Sequence, residues 1–253
     1  MHKKILISLF AMTASIQSGA QILDPDNTRI QWSVSGGMND YKEPSLMELK
    51  GYEVGLHSSV TSWVEIPQAH FEADFLLGRQ KYNSVSSGSM TGVGNIETRW
   101  RALTPIHSDS PTYGGIYLGL ALHTLWNDLR GTSTHNGITY AGYQRSALQL
   151  WLPVRWTIDD VWTLDAGLLI YGRHLSKLSD VNRNYSDVAN TQRRGQYFQF
   201  SMNLAINNGD LLKPFVRYTH LADSDKVSMS GRYWVEPRSQ RWQIGAVWEF
   251  ATP

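Results

Sequence analysis

Twelve charged residues recur at alternating positions inside segments that are otherwise apolar. Six of them are carboxylates and six are arginines. The planar guanidinium of arginine can donate two parallel hydrogen bonds to a carboxylate, so this pattern favours ion pairs within a polar interior. The predicted network consists of Glu53, Glu72, Asp74, Glu97, Arg99, Arg101, Arg145, Asp165, Arg173, Arg217, Arg241 and Glu249. Equal numbers of both signs favour mutual neutralisation over a selective pore, because such pores usually display rings of one sign.

Three histidines, His123, His174 and His220, are the candidate general bases because they lie toward the ends of predicted strands. Catalysis by an imidazole needs a partner within hydrogen-bond reach. Asp223 and Asp225 follow His220, but His220 falls on the apolar face of its segment. The sequence also shows no evident Ser–His–acid constellation. We therefore predict no catalytic residue, no metal site and no cofactor.

Ten segments of alternating polarity must position these charges. Each is about ten residues long, the length that a tilted strand needs to cross a bilayer. Alternation places the apolar side chains on one face and the charges on the other. The predicted strands are Arg29–Gly37, Gly51–Val60, His70–Gln80, Gly94–Leu103, Tyr113–Leu125, Tyr143–Arg155, Val161–His174, Gly195–Ile206, Lys213–Leu221 and a last strand through Gln243–Phe250.

The connections between these strands alternate in length. The short ones are predicted at Ser62–Ala69, Thr104–Thr112, Thr157–Asp160 and Asn207–Leu212. The longer ones are predicted at Met38–Lys50, Lys81–Val93, Trp126–Gly142, Leu175–Arg194 and Ala222–Pro237. Short turns on one side and long polar loops on the other indicate up-and-down hairpins whose two ends differ.

The N-terminus has the pattern of a secretory signal peptide. A basic start is followed by the apolar run Ile5–Ala14 and by the small residues Ser18-Gly19-Ala20. Cleavage is expected before Gln21, which gives a leader at residues 1–20 and one domain at residues 21–253. The alternative is an N-terminal membrane anchor, which the short length of the apolar run disfavours.

Composition narrows the class of protein. The chain has no Cys, and after the leader no segment offers about 20 consecutive apolar residues, as a transmembrane helix requires. It has 23 Lys+Arg and 22 Asp+Glu, and removing Lys3 and Lys4 with the leader gives 21 against 22, a charge of −1. This balance gives no reason to expect nucleic acid as a partner. Ten Trp and twelve Tyr favour a membrane–water boundary.

The last strand carries a recognisable motif, with Gln243, Gly245, Trp248 and Phe250 in the order polar, glycine, aromatic, aromatic. It resembles the C-terminal signal that the assembly machinery reads in bacterial outer-membrane β-barrel proteins, although Ala251-Thr252-Pro253 follow the final aromatic residue. With the leader and the hairpin rhythm, the whole mature chain resembles this class. The resemblance implies an all-β fold, a ten-stranded antiparallel transmembrane up-and-down β-barrel with both termini periplasmic, in the bacterial outer membrane.

Two alternatives to this prediction concern fold and activity. A soluble β-sandwich or lipocalin-like barrel would turn the apolar faces inward. Ten strands also occur in omptin proteases and Opc-type adhesins, but the paired aspartates and His–Asp couple of omptins are not found here.

A ten-stranded barrel lies near the narrow, side-chain-filled end of the size range. The sequence therefore predicts a charge-paired, largely plugged lumen and a structural or surface-interaction role, or a narrow pore. The alternative is an outer-membrane enzyme, an omptin-like protease or a lipid-modifying hydrolase, with its site at the extracellular rim. The expected partners are outer-membrane lipid and lipopolysaccharide, the assembly machinery, and an extracellular ligand bound through the loops.

Overall fold

The computed structural model describes residues 28–62, 69–84, 88–110, 114–130, 132–133, 139–140, 142–159, 161–206, 209–229 and 232–251. The predicted leader at residues 1–20 lies outside these ranges. Within them, no helix is long and apolar enough to cross a membrane.

Strands account for most of the described residues because apolar and polar side chains alternate along them. The strands are β1 Thr28–Glu43, β2 Met47–Ser62, β3 Ala69–Ser84, β4 Gly88–Ser110, β5 Gly114–Asp128, β6 Thr132–Ser133, β7 Thr139–Tyr140, β8 Gln144–Ile158, β9 Trp162–Ser176, β10 Val188–Gln192, β11 Gly195–Met202, β12 Leu204–Ala205, β13 Leu211–Leu221, β14 Val227–Met229, β15 Arg232–Trp234 and β16 Ser239–Glu249. A 3-10 turn at Leu178–Asp180 lies between β9 and β10.

One closed sheet forms the wall of the molecule. Neighbouring strands follow the order β9, β11, β13, β16, β1, β2, β3, β4, β5, β8, and pairing of β8 with β9 closes the circle. β10 continues the line of β11 along β9, so the two act as one wall strand. All these pairings are antiparallel. The predicted all-β, ten-stranded antiparallel barrel is therefore confirmed.

The two ends of the barrel differ. We call the end that holds Thr28, Ser62 and Glu249 the turn end, and the end that holds Glu43 and Asp128 the hairpin end. The first and last strands of the wall therefore have their outer limits at the same, turn end. Small additional hairpins, β6–β7 and β14–β15, follow wall strands at the hairpin end.

The wall strands run further than the sequence predicted. β1 and β2 stay paired up to Glu43 and Met47, so the predicted loop Met38–Lys50 shrinks to the turn at residues 44–46. β4 likewise continues to Ser110, through most of the predicted turn Thr104–Thr112. The prediction stopped each strand where the apolar alternation stopped. A hairpin that projects into water needs no apolar face, and backbone pairing alone continues the strand.

The alternation is interrupted once along β9. β8 pairs Leu150 with Tyr171 and Trp151 with Leu169, so Ile170 is an extra residue on β9. Ile170 and Tyr171 are consequently both exposed, and the inward and outward phases exchange beyond them. A bulge of this kind inserts one residue into one strand of an antiparallel pair. Every side chain of β9 on the hairpin side of Ile170 faces opposite to a strict alternation.

Candidate functional site

A ring of five polar side chains crosses the middle of the lumen. Arg99 donates through Nε to Glu97 Oε1 at 2.6 Å and through Nη2 to Gln243 Oε1 at 2.7 Å. Gln243 Nε2 donates to Glu53 Oε1 at 2.5 Å. Arg241 closes the circuit with Glu53 Oε2 at 3.2 Å and Glu97 Oε2 at 2.6 Å. These residues lie on β2, β4 and β16, so the ring, which we call the central ring, ties separated parts of the wall together.

A second set of ion pairs lies nearer the turn end. Arg155 donates to Asp165 Oδ1 at 2.8 Å and to Glu72 Oε2 at 3.1 Å. Arg101 lies 2.7 Å from Glu72 Oε2 and 3.3 Å from Asp74 Oδ2. Strands β3 and β8 are not neighbours in the wall, so the pair of Arg155 with Glu72 also spans the lumen. All five side chains are nearly or fully buried, which such charges tolerate only when paired.

A third set occupies the hairpin end. Arg145 Nη1 lies 2.7 Å from Glu43 Oε1, and its Nε donates to Asn127 Oδ1 at 3.1 Å. The guanidinium also stacks over the Tyr41 ring, 4.8 Å from its centroid. Glu236, in the loop before β16, lies 3.6 Å from Arg145. Burial nevertheless raises the pKa of Glu236, with Arg145 acting in the opposite direction.

Apolar side chains also fill inward positions, several of them in segments that the sequence analysis predicted to be loops. One cluster of Leu49, Tyr82, Met90, Val93 and Leu129 lies toward the hairpin end. Another consists of Ala121, Trp151, Leu169, Tyr197 and Leu221. A small cavity of about 10 Å³ lies beside Asn39, Gln80 and Asn95. That volume is about what one water molecule requires.

A cavity with a volume of about 390 Å³ lies at the turn end of the lumen. Its lining mixes the second set of ion pairs with neutral side chains, among them Gln31, Gln199, Asn203, Ser59 and Thr61. The lumen is therefore a polar chamber at one end and is filled with side chains from the central ring to the hairpin end.

A chain of three hydrogen-bonding groups borders this chamber on β1, β2 and β3. His57 Nδ1 lies 3.0 Å from Asp74 Oδ1, and His57 Nε2 lies 2.7 Å from Ser35 Oγ. Gly55 lies opposite Ser35, and a Cβ there would come within 2.5 Å of Ser35 Oγ. A second chain joins Thr61 through His70 to Glu72 at 2.7 and 2.9 Å. The sequence analysis missed both because their members are spread over adjacent strands.

Most of the predicted lumen residues do lie in the lumen, where they belong to the central ring and to the two other sets of ion pairs described above. Arg217 is also buried, with its guanidinium over the Tyr197 ring at 4.2 Å, and Glu249 pairs with Lys213. The prediction is wrong for Arg173, which is exposed on the outer wall. The bulge at Ile170 reverses its direction.

Several lumen residues were not predicted. Arg155 is central to the second set, Glu43 to the third, and Lys213 pairs with Glu249. Arg155 shares the inward phase of Arg145 on β8, so strict counting could have found it. Glu43 could not be found in this way, because the predicted strand ended at Gly37.

Among the described residues, the three candidate histidines have no acid or nucleophile in a catalytic arrangement. His123 is buried, 5.6 Å from the Trp151 ring. His174 Nε2 lies 2.7 Å from Gln192 Oε1, and its Nδ1 lies 3.7 Å from Glu236. His220 is half-buried on β13. None of the three therefore reproduces the rim site of the predicted enzyme alternative.

The residues of the predicted assembly motif have separate structural roles. Gln243 belongs to the central ring, whereas Trp248 faces outward and donates its indole N–H to Asp210 at 2.9 Å. Phe250 donates its backbone N–H to Trp32 O at 3.2 Å. Gly245 pairs with Gly37, and a Cβ on Gly245 would lie 2.4 Å from Gly36 O. Recognition of the motif by an assembly machinery remains a prediction.

The outer wall is apolar. Val54 and Leu120 are 61% and 54% exposed, whereas the inward Glu53 and Glu97 are 4% and 5% exposed. Large apolar side chains of this kind recur on every side of the closed sheet, a surface suited to acyl chains rather than to water. The chain is built as a transmembrane β-barrel, with an apolar outer wall and a charged interior. This arrangement rules out the soluble alternative, in which the apolar faces point inward.

No protein-family model matches the chain, and no curated protein matches it. Among solved structures, the chain is similar to Neisserial surface protein A, with 10% identity, 89% of this chain and 99% of that chain covered, and a TM-score of 0.37.

It is also similar to the outer membrane protease OmpT from Escherichia coli, with 9% identity, 90% and 97% coverage and a TM-score of 0.47. For the translocator domain of the autotransporter NalP from Neisseria meningitidis the values are 10%, 96% and 98%, and 0.46. The apolar belt and charged lumen, rather than these distant similarities, place the chain in a membrane.

Proposed function

We propose that this protein is a closed outer-membrane anchor that presents its hairpin end at the cell surface. The observation that supports this proposal is the filled lumen. Among the described residues, the central ring, further ion pairs and two apolar clusters occupy the interior away from the turn-end cavity, and the small cavity beside Asn39 has room for about one water molecule. Such packing favours a lumen that is closed to ions and solutes.

Planar-bilayer recording tests the closed lumen. The purified barrel should give no discrete current steps. The charged residues of the central ring can be removed in equal numbers of each sign by combining Glu53→Ala, Glu97→Ala, Arg99→Ala and Arg241→Ala. This quadruple variant should give discrete current steps, because fewer side chains then fill the lumen. Arg173→Ala, on the outer wall, is the matched control and should remain silent. Regular steps from the unaltered protein would show that the barrel is a pore.

Three exposed arginines support lipopolysaccharide as the partner. Arg173 lies on the outer wall opposite Thr191 of β10, and Arg193 and Arg194 follow β10 directly. Among the described residues none of the three has a carboxylate partner. Guanidinium groups bind phosphate oxygens in pairs of hydrogen bonds, and this patch lies near the hairpin end, where lipid A phosphates would sit if that end faces outward.

Retention of lipid A measures this interaction. The barrel, extracted from nanodiscs that contain bisphosphorylated lipid A, should carry the lipid through native mass spectrometry. The triple variant Arg173→Gln, Arg193→Gln and Arg194→Gln should lose most of it, and dephosphorylated lipid A should be retained poorly by the unaltered protein. Arg183→Gln, which removes an exposed cation from the β9–β10 loop, is the control. Equal retention by all variants would contradict the proposed phosphate contact.

A further inference from the structure

The geometry around Ser35 points to a chemical role for the turn-end cavity. We propose that Ser35 is the nucleophile of an ester-hydrolysing site in the lumen, with His57 as general base and Asp74 as the carboxylate that orients it. The three residues lie on adjacent strands β1, β2 and β3, and His57 stands directly opposite Asp74 in the ladder. Rigid strands, rather than a loop, therefore fix their distances.

The orientation of the imidazole is the one that activates a hydroxyl. The contact of Asp74 with Nδ1, at 3.0 Å, favours the tautomer with the proton on that nitrogen. Nε2 is then an acceptor for the Ser35 hydroxyl at 2.7 Å. This is the arrangement of roles in the serine hydrolase triad. Arg101 contacts the other oxygen of Asp74, at 3.3 Å, and so holds the carboxylate in place.

The site has room for the hydroxyl and for a small substrate. Ser35 Oγ occupies space that a side chain at position 55 would fill, and Gly55 leaves it open. His57 and Asp74 line the cavity of about 390 Å³. Ser35 lies just beyond that lining, one inward position deeper along β1 than the lining residue Ser33, and its hydroxyl contacts His57. A volume in this range accepts a small molecule. Amides and hydroxyls in the lining favour a small, polar carboxylic ester.

Arg101 places a fixed positive charge beside the triad. It lines the cavity, and its Nη2 lies 3.3 Å from Asp74 while its Nη1 lies 3.9 Å from Asp165. A preorganised cation near a reaction site stabilises the negative charge that develops on a tetrahedral intermediate.

The reaction follows from these roles. Ser35 Oγ forms a bond to the ester carbonyl carbon while its proton passes to His57 Nε2. The carbon–oxygen bond to the alcohol breaks, and the alcohol leaves with that proton. His57 then takes a proton from water, whose oxygen bonds to the acyl carbon. The bond to Ser35 breaks, the carboxylic acid leaves, and the proton returns to Ser35 Oγ.

Covalent labelling with an alkyl fluorophosphonate tests the nucleophile directly. The detergent-purified barrel should be phosphonylated at Ser35, located by mass spectrometry of the peptide that contains it. Ser35→Ala should remove the label. Ser33→Ala is the matched control, because Ser33 is the preceding inward serine of β1, lines the cavity, and is not the serine whose hydroxyl contacts His57. It should be labelled like the unaltered protein.

Hydrolysis of p-nitrophenyl acetate gives an independent readout. His57→Gln should lower the rate by roughly 10²–10⁴-fold, the usual effect of losing a general base. Heat-modifiable mobility in SDS gels confirms for each variant that the barrel is folded. No label on the unaltered folded barrel, or a label that persists in Ser35→Ala, would overturn the proposal. Neither result depends on whether the barrel conducts or binds lipid A.

Discussion

Arg145 illustrates how single residues make a charged lumen stable. Its side chain and that of Glu43 are each only 8% exposed, and 102 positions separate them in the chain. Desolvating two charges costs several kcal/mol per ion, which only close pairing and further hydrogen bonds offset. Arg145 meets this condition through Glu43, Asn127 and the face of Tyr41. The stability of the hairpin end therefore depends on the pair rather than on either charge alone.

Arg145→Leu should destabilise the barrel by about 3–5 kcal/mol, because it leaves Glu43 buried without its partner. Thermal unfolding in detergent, followed by near-ultraviolet circular dichroism, measures the loss. Arg130→Leu breaks the exposed pair with Asp128 and should change stability by less than about 1 kcal/mol.

The double variant Glu43→Leu and Arg145→Leu separates pairing from packing. Replacing both charges by apolar groups should restore most of the stability that Arg145→Leu loses. If Arg145→Leu melts like the unaltered protein, the pair is not a stabilising element.

At the scale of an element, β9 shows that one inserted residue redirects half a strand. Ile170 has no partner on β8, and beyond it His174 points inward while Arg173 points outward. Leu169, just before the bulge, keeps the inward phase of Asp165 and packs in the cluster around Trp151. The exchange moves Arg173 to the outer wall, opposite Thr191 of β10.

Single cysteines report this exchange, since the chain has none of its own. A bulky maleimide should label Arg173→Cys in detergent readily and His174→Cys poorly, because position 173 is exposed and position 174 is buried. Labelling of Leu175→Cys, on the outward phase of the same segment, is the positive control. The opposite preference between positions 173 and 174 would mean that β9 is regular and has no bulge.

The number of strands was predictable because alternation with a period of two survives over most of each wall strand. The bulge left a weaker signal in the four consecutive apolar residues Leu168-Leu169-Ile170-Tyr171, where alternation fails. Strand ends were not predictable, since the hairpins continue by backbone pairing after their apolar faces stop. The equal numbers of acids and arginines indicated pairing, but not which residues pair.

At the scale of the whole molecule, the geometry of the closed barrel decides which inward charged residues form ion pairs with each other. The tilt and register of a closed barrel decide which inward residues reach the same height, and neither quantity is visible in one strand. Arg155 thus meets Glu72 across the lumen, although β4 and β5 separate their strands in the wall. The Ser35–His57–Asp74 chain also exists only after three strands have aligned. For this reason the sequence predicted most of the charged lumen residues but not the Ser35–His57–Asp74 chain.

The first strand of the wall pairs with the last one. β1 pairs with β16 from Ser33 and Glu249 to Lys42 and Gln240, so β1 has no partner on this edge until the end of the chain has been made. The ribosome makes β1 long before its final neighbour β16, so the newly made chain carries an unpaired β1 edge until β16 is made. Such an edge pairs with whatever strand it meets first. A truncation that removes β16 would therefore leave unpaired strand edges on β1 and β13. The truncated protein would aggregate instead of forming a smaller barrel.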